Sequence, residues 1–194
     1  MTPAVELASC LGSGWAGTPD LWARGLIGGS LLMVISAVGG QRYFPGRPAF
    51  IALLAAMLVW VVNTSLERSS LDPVCKASLA LGNWVVLPLV PLLWSLFIHQ
   101  YVHSDPSPPT RRWWLGAGAV WLTMWAVVLS NGQHGLLYGP GSGVASSDDG
   151  ALRMRYERGP IYWLVAVWAY ALILRAALLV LRAWRGGPGS DRRQ

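Results

Sequence analysis

The sequence predicts an all-α, polytopic membrane protein with five transmembrane helices, its N-terminus outside and its C-terminus in the cytoplasm. Of 194 residues, 54% are hydrophobic and only 12% are charged, whereas soluble domains average about 25% charged residues. Apolar stretches of the ~20 residues that a membrane-spanning helix needs recur along the chain. The cations gather in short connections and in the C-terminal tail, where orientation signals are expected.

The helices are predicted from the apolar stretches and from the residues that interrupt them. They cover residues 21–39, 49–66, 79–101, 113–130 and 160–181. The interruptions are a Pro- and Gly-containing segment at 41–48, a polar connection at 67–78, a proline-rich loop at 103–112 and a long polar connection at 131–159. The predicted organisation is therefore an extracytoplasmic segment (1–20), a five-helix domain (21–182) and a cytoplasmic basic tail (183–194).

The orientation follows from the distribution of lysine and arginine. With the N-terminus outside, nine cations lie in or near the cytoplasm and six lie outside, and both short cytoplasmic loops carry a pair of arginines beside a helix end. The cytoplasmic cations are Arg42, Arg47, Arg111, Arg112, Arg182, Arg185, Arg192 and Arg193, and Arg175, near the inner end of the fifth helix, can snorkel to the same side. The formal net charge of +6 does not indicate nucleic acid as a partner, because no basic stripe follows a soluble element.

Polar and aromatic residues within the helices gather toward the outer side and form the candidate ligand-binding set. On the second helix, Trp60, Asn63 and Glu67 are spaced i, i+3, i+7 and share one face. The whole set is Trp60, Asn63, Glu67, Asn83, Asn131, His134, Trp163 and Tyr170. Polar groups in lipid are costly, so they should face the bundle interior or water. They predict an outward-facing pocket; the alternative is interhelical hydrogen bonding with interfacial anchoring.

Two prolines, Pro88 and Pro91, lie within the third predicted helix. Each removes a backbone donor and frees the carbonyl one turn back, at Trp84 and Leu87. The pattern predicts a kink beside the proposed pocket, which would serve either as a hinge or as a static bend.

The two cysteines, Cys10 and Cys75, both fall on the outer side under this topology. An oxidising compartment would allow them to pair, linking the N-terminal segment to the connection between helices two and three. The alternative is two unrelated thiols.

No catalytic residue, metal or cofactor is expected. The sequence contains no nucleophile–base arrangement, phosphate loop or zinc signature. The expected partners are the lipid bilayer and an unidentified small-molecule or lipid ligand.

Four segments in order resemble the N-terminal seven-helix sensor region of bacterial histidine kinases. Trp60 precedes Glu67 by one heptad, similar to the family's Trp…Leu-Glu ending. Pro91, Trp94, Phe97 and Tyr101 are similar to its Pro-x-x-Trp-x-x-Phe-x-x-x-Tyr run. Residues 130–137 (SNGQHGLL) are similar to its Thr-Asn-Pro-x-His-Gly-Leu-Leu turn. Residues 156–163 (YERGPIYW), with Trp168 and Tyr170, are similar to the entry to its fifth helix.

The sequence also departs from the family pattern. Gly132 stands where proline is frequent, and Val165 replaces a frequent histidine. The chain ends at Gln194, where the family continues into two more helices and then into signalling and kinase modules, so the resemblance implies a fragment or a shortened relative.

The resemblance implies a sensory input module in the bacterial cytoplasmic membrane that is not itself an enzyme. It would detect an extracytoplasmic or membrane-borne ligand and act on cytoplasmic signalling modules absent from this chain, in a possible homodimer. The alternatives are a small transporter or channel subunit and a lipid-processing membrane enzyme. A transporter should have polar residues through the full membrane depth, but the centres of helices one, two and four are almost wholly apolar.

Overall fold

The computed structural model describes residues 10, 14–18, 20–104, 110–146 and 152–186 and confirms the all-α class. The helices are α1 (Leu21–Gly40), α2 (Arg47–Ser69), α3 (Pro73–Val86), α4 (Leu89–Val102), α5 (Arg111–His134) and α6 (Pro160–Gly186). In this part of the chain, five segments are long and apolar enough to cross a membrane, and α3 with α4 forms one of them. The remaining residues of the predicted N-terminal segment and basic tail lie outside the described residues.

The helices pack in an order that differs from their order in the chain. α2 packs against α1, α3 and α4, whereas α4 packs against α6, and α3 packs against α5. A buried apolar cluster lies where α3, α5 and the segment after α5 meet, and it consists of Trp84, Met124, Val128 and Leu137. Most side chains of α1 and α6 are exposed, as is expected of helices whose outer faces contact lipid.

α3 begins at Pro73, earlier than the predicted start at residue 79. Asp72 is its N-cap, and its side chain accepts a hydrogen bond from the backbone N–H of Cys75 at 2.7 Å. Pro73 occupies the first helical position, where a missing donor costs nothing. The predicted polar connection at 67–78 is therefore mostly helical, because a cap and a proline together start a helix within a polar stretch.

The third predicted helix is interrupted between Val86 and Leu89. Pro88 has no N–H to donate, so the helical hydrogen-bond ladder fails here. Beside the break, the indole N–H of Trp121 in α5 donates to the carbonyl oxygen of Val85 at 2.8 Å. This contact supplies the backbone with a partner from another helix, which membrane-embedded polar groups require.

The connection between α5 and α6 contains a small antiparallel hairpin of β1 (Gly143–Ser146) and β2 (Leu152–Arg155). Val144 pairs with Met154, and both strands contact α3. The sequence analysis predicted only a polar connection here, because strands of four residues are too short for periodicity to indicate them. The hairpin places the residues that follow it over the ends of α2 and α3.

The N-terminal segment is held against the connection between α2 and α3. The N–H of Ala16 donates to the carbonyl of Ser69 at 2.8 Å, and the N–H of Leu71 donates to that of Gly14 at 3.1 Å. Cys10 and Cys75 form a disulfide with their Cα atoms 5.3 Å apart. These contacts place the segment before α1 on the same side of the bundle as the α2–α3 connection.

Replacing both cysteines with serine should lower the thermal unfolding temperature of the protein in detergent. The disulfide joins residues 65 apart in sequence, and removing such a cross-link typically costs about 2–4 kcal/mol. Non-reducing mass spectrometry of the wild-type chain should recover a peptide containing Cys10 linked to Cys75, and reduced wild type is the control for the double variant. Two freely alkylatable thiols in unreduced protein would contradict the prediction.

Candidate functional site

Four polar side chains, Asn63, Glu67, Asn83 and Tyr156, form what we call the polar cluster, in which Glu67 and Asn83 are buried, Asn63 is half-buried and Tyr156 is 38% exposed. The amide of Asn83 donates to Oε2 of Glu67 at 3.0 Å, and the amide of Asn63 donates to Oδ1 of Asn83 at 2.8 Å. Glu67 and Asn83 are each only 7% exposed. A helical spacing of i, i+4 puts Asn63 and Glu67 on one face of α2, toward α3.

Tyr156 completes the cluster from outside the helices. It follows β2, and its hydroxyl donates to Oε1 of Glu67 at 2.6 Å. Asn83 in α3 thus donates to one carboxyl oxygen of Glu67, and Tyr156 in the connection donates to the other. Burial raises the pKa of Tyr156, and the hydrogen bond and charge of Glu67 raise that pKa further. The phenol is therefore protonated at neutral pH and can donate.

Tyr138 forms the second contact between this connection and α3. The indole N–H of Trp84 donates to the Tyr138 hydroxyl at 2.7 Å, and the rings of Tyr138 and Tyr156 lie 5.0 Å apart. Burial raises the pKa of Tyr138 to about 12, although the hydrogen bond from Trp84 opposes the change. Sequence reasoning missed Tyr138; its signal was its position directly after the Leu136-Leu137 pair of the family-like turn.

Asn131 shapes the turn that carries Tyr138. Its Oδ1 accepts the backbone N–H groups of Leu137 at 2.9 Å and Tyr138 at 3.1 Å, and its amide donates to the Tyr138 carbonyl at 3.1 Å. Gly135 ends α5 in the left-handed conformation, with φ of 59°, which favours glycine. Asn131 therefore supports the site through Tyr138 rather than by contact with Glu67.

Lys76 is a second residue that sequence reasoning missed. Its ammonium group donates to the carbonyl oxygens of Glu67 at 2.6 Å and Arg68 at 3.1 Å, and the side chain is 2% exposed. A cation is stabilised by the unpaired carbonyls at a helix C-terminus. Its position just after the end of α2 was the available signal, and it fixes that end of α2 against α3.

The other predicted site residues lie apart from the polar cluster. His134 is exposed and bonds locally, with Nδ1 accepting the N–H of Leu136 at 3.0 Å. Trp60, Trp163 and Tyr170 are 37%, 55% and 71% exposed, which suits aromatic side chains that contact lipid. The structure thus brings together Asn63, Glu67 and Asn83, joins Asn131 to them indirectly, and leaves four aromatic or imidazole residues on outer surfaces.

The prolines proposed as a hinge lie next to this site. Pro88 and Pro91 are both buried, and Trp84, one turn before Pro88, contacts both Tyr138 and Tyr162 with ring centroids at 6.0 and 5.6 Å. The α3–α4 break is therefore adjacent to the aromatic contacts that hold the connection.

The start of α6 is hydrogen-bonded to the turn that follows α5, and Gly159 lies at this contact. The N–H of Gly159 donates to the Leu137 carbonyl at 2.9 Å, and that of Ile161 donates to the Leu136 carbonyl at 3.0 Å. A Cβ atom at Gly159 would collide with the backbone of Leu136. Backbone contacts that require glycine therefore hold the first turn of α6, and with it Tyr156, close to the turn that follows α5.

The polar cluster and Tyr138 with Trp84 bring together hydrogen-bonding groups that bond to one another in the structure. The site offers one buried carboxyl group, two amides and two protonated phenols. Among the described residues, no three His, Cys, Asp or Glu side chains are placed to hold a metal ion.

Substituting Gly159 with alanine should destabilise the docking of the connection by about 1–3 kcal/mol, since the added methyl overpacks against backbone. The G132A variant is the matched control, because a Cβ at Gly132 meets nothing within 4 Å and alanine favours a helix. Thermal unfolding in detergent measures the stability of both variants, and hydrogen exchange at residues 156–161 measures the docking of the connection. Equal stability of G159A and wild type would disprove the close packing.

Comparison with known proteins identifies the family. The family model described as the N-terminal 7TM region of histidine kinase matches residues 24–194. No curated protein and no solved structure matches the chain. The match covers all five apolar segments apart from the first residues of α1. The chain belongs to the N-terminal 7TM, transmembrane sensor region of histidine kinases.

Proposed function

We propose that this sensory input module detects an extracytoplasmic or membrane-borne ligand through the docking of Tyr156 on Glu67. The resulting conformational change is transmitted through α6 to cytoplasmic signalling modules. The observation that carries the proposal is the composition of the polar cluster. Three of its members belong to membrane-spanning helices, and the fourth, Tyr156, belongs to the connection that leads directly into α6.

The covalent path from the site to α6 is short. Tyr156 stands four residues before Pro160, the first residue of α6, and α6 then runs to the opposite end of the bundle. If Tyr156 leaves Glu67, the buried carboxyl group loses a partner and needs water or a ligand donor instead. Undocking of the connection would therefore change both the solvation of the cluster and the position of the first turn of α6.

A ligand would act by favouring one of these two arrangements. It can shift the equilibrium only by its differential affinity for them. A molecule with its own hydrogen-bond donor could replace Tyr156 at Glu67 and favour the undocked state, whereas one that binds over both tyrosines would favour the docked state. A small polar molecule or a lipid headgroup has this chemistry.

The proposed orientation has the N-terminus and the polar cluster outside and the end of α6 in the cytoplasm of a bacterial cell. The cation count supports it, with nine cations inside against six outside. The disulfide gives separate support, because Cys10 and Cys75 lie on the side of the polar cluster and disulfides persist in oxidising compartments. Residues 1–20 would then be extracytoplasmic and residues 183–194 cytoplasmic, although α6 continues through Gly186.

Cysteine labelling in intact cells tests the orientation. In a background without Cys10 and Cys75, a single cysteine introduced at residue 44 or 110 should resist a membrane-impermeant maleimide until the cells are opened. A single cysteine at residue 71 or 142, on the opposite side, should react in intact cells. External labelling at residue 44 or 110 would overturn the proposed topology.

The Y156F variant tests signalling. A hydrogen bond to a charged group is worth about 1.5–3 kcal/mol, so its loss should shift the docking equilibrium by about 10- to 100-fold. With the chain's C-terminus joined to histidine kinase modules, Y156F and E67Q should both change basal autophosphorylation in the same direction. Y170F is the matched control, since Tyr170 is 71% exposed and lies ten residues beyond Pro160, the first residue of α6.

Thermal unfolding in detergent separates sensing from a purely structural role. Variants of the cluster that lower the unfolding temperature while leaving autophosphorylation at the level of Y170F would show that the hydrogen bonds serve only to hold the helices together. Variants that fold normally and change autophosphorylation support the sensor assignment.

A further inference from the structure

The membrane span formed by α3 and α4 is divided between two sets of packing partners. α3 packs against α5 and the hairpin, whereas α4 packs against α6, and α2 packs against both halves. Asn83, a member of the polar cluster, lies on α3 one turn before the interruption between Val86 and Leu89. A change in the angle between α3 and α4 would therefore move this part of the polar cluster relative to the helix on which α6 packs.

Two prolines weaken the backbone connection at this interruption. Pro88 and Pro91 have no N–H to donate. The carbonyl oxygens of Trp84 and Leu87, one turn earlier, therefore lack their helical donors. The cap of α3 is a bond from the N–H of Leu87 to the carbonyl oxygen of Asn83 at 3.0 Å. Because the helical ladder is incomplete beyond this cap, contacts from neighbouring helices must set the angle between α3 and α4.

Trp121 of α5 supplies such a contact at the last turn of α3. Its indole N–H donates to the carbonyl oxygen of Val85 at 2.8 Å. Kinks in helices occur at proline and where a side chain bonds into the backbone ladder, and both features meet here. A single bond from a side chain can break and form again without unfolding either helix. Trp121 is therefore placed to hold the bend and also to release it.

The neighbouring Trp125 shows what the contact to Val85 adds. Trp125 lies one turn further along α5, and its ring centroid is 5.8 Å from that of Trp121. Its indole nitrogen is buried and has no hydrogen-bond partner among the described residues. The two residues are thus alike in type, helix and surroundings, and the bond to the α3 backbone distinguishes Trp121 from Trp125.

We propose that residues 86–89 form a hinge and that Trp121 is the positioning residue that sets its angle. With the indole bonded to Val85, α3 and α4 keep the arrangement of this structure. When the bond breaks, α4 and the α6 helix packed on it pivot against α2, relative to α3. This inference rests on the proposed function, since it gives the polar cluster a second route to α6, from Asn83 through the hinge to α4.

Double electron–electron resonance on the full chain in lipid nanodiscs tests the hinge. Spin labels are attached to cysteines introduced at the exposed positions Tyr101 in α4 and Leu115 in α5, in the background without Cys10 and Cys75. α4 has 14 residues and is about 21 Å long, so a change of about 10° moves its far end by about 4 Å. W121F, which keeps the ring and removes the donor, should shift or broaden the distance distribution by about this amount. W125F is the matched control and should keep the distribution of the parent chain.

A second variant changes the hinge itself and keeps the test valid if W121F does not fold. P88A restores a backbone N–H that can donate to the carbonyl oxygen of Trp84, and alanine favours a helix. It should therefore narrow the distance distribution. Equal distributions for W121F and W125F, or a distribution for P88A as broad as that of the parent chain, would show a static bend and overturn the proposal.

Autophosphorylation of the fusion to histidine kinase modules separates this inference from the proposed function. W121F should change the basal activity, and W125F should leave it unchanged. If Y156F changes autophosphorylation while W121F and W125F have the same distance distribution, the hinge is wrong and the proposed function stands. If the distances respond as expected while Y156F remains at the level of Y170F, the proposed function is wrong and the hinge stands.

Discussion

The hydrogen bond between Tyr156 and Glu67 imposes the main constraint on this fold, because it supplies a donor to a buried carboxyl group near the membrane surface. A polar group removed from water costs free energy unless it is bonded, and Glu67 is 7% exposed. Its second carboxyl oxygen depends on Asn83, which in turn depends on Asn63. The ends of α2 and α3 and the connection before α6 must therefore keep their relative positions for this group to stay satisfied.

The surrounding structure supports that arrangement with short-range contacts. Lys76 holds the last carbonyls of α2, and Asn131 shapes the turn that presents Tyr138 to Trp84. The backbone of Gly159 bonds to Leu137. Because lipid provides little hydrophobic force between helices, packing and polar contacts of this kind carry much of the association. The same contacts hold the connection between α5 and α6 against the first turn of α6.

The outer helices α1 and α6 differ from the central helices in the side chains that they expose to the membrane. α2 and α3 direct their polar residues inward, to one another. α6 packs on α4 and buries Ala176, whereas most of its other described side chains are exposed.

Composition and the length of the apolar stretches were enough to predict five spans and the all-α class, because a bilayer demands about 20 apolar residues per helix whatever their partners. The i, i+3, i+7 spacing placed Asn63 and Glu67 on one face, and the family-like segments predicted the sensor class. The sequence could not predict the Tyr138 and Tyr156 contacts or the burial of Lys76, since these depend on a hairpin of two four-residue strands folding back over α3. It also grouped Trp60, Trp163 and Tyr170 with Glu67, because sequence spacing gives depth along a helix. Only tertiary packing decides which helix faces meet, and it left those aromatic rings on the outer surface.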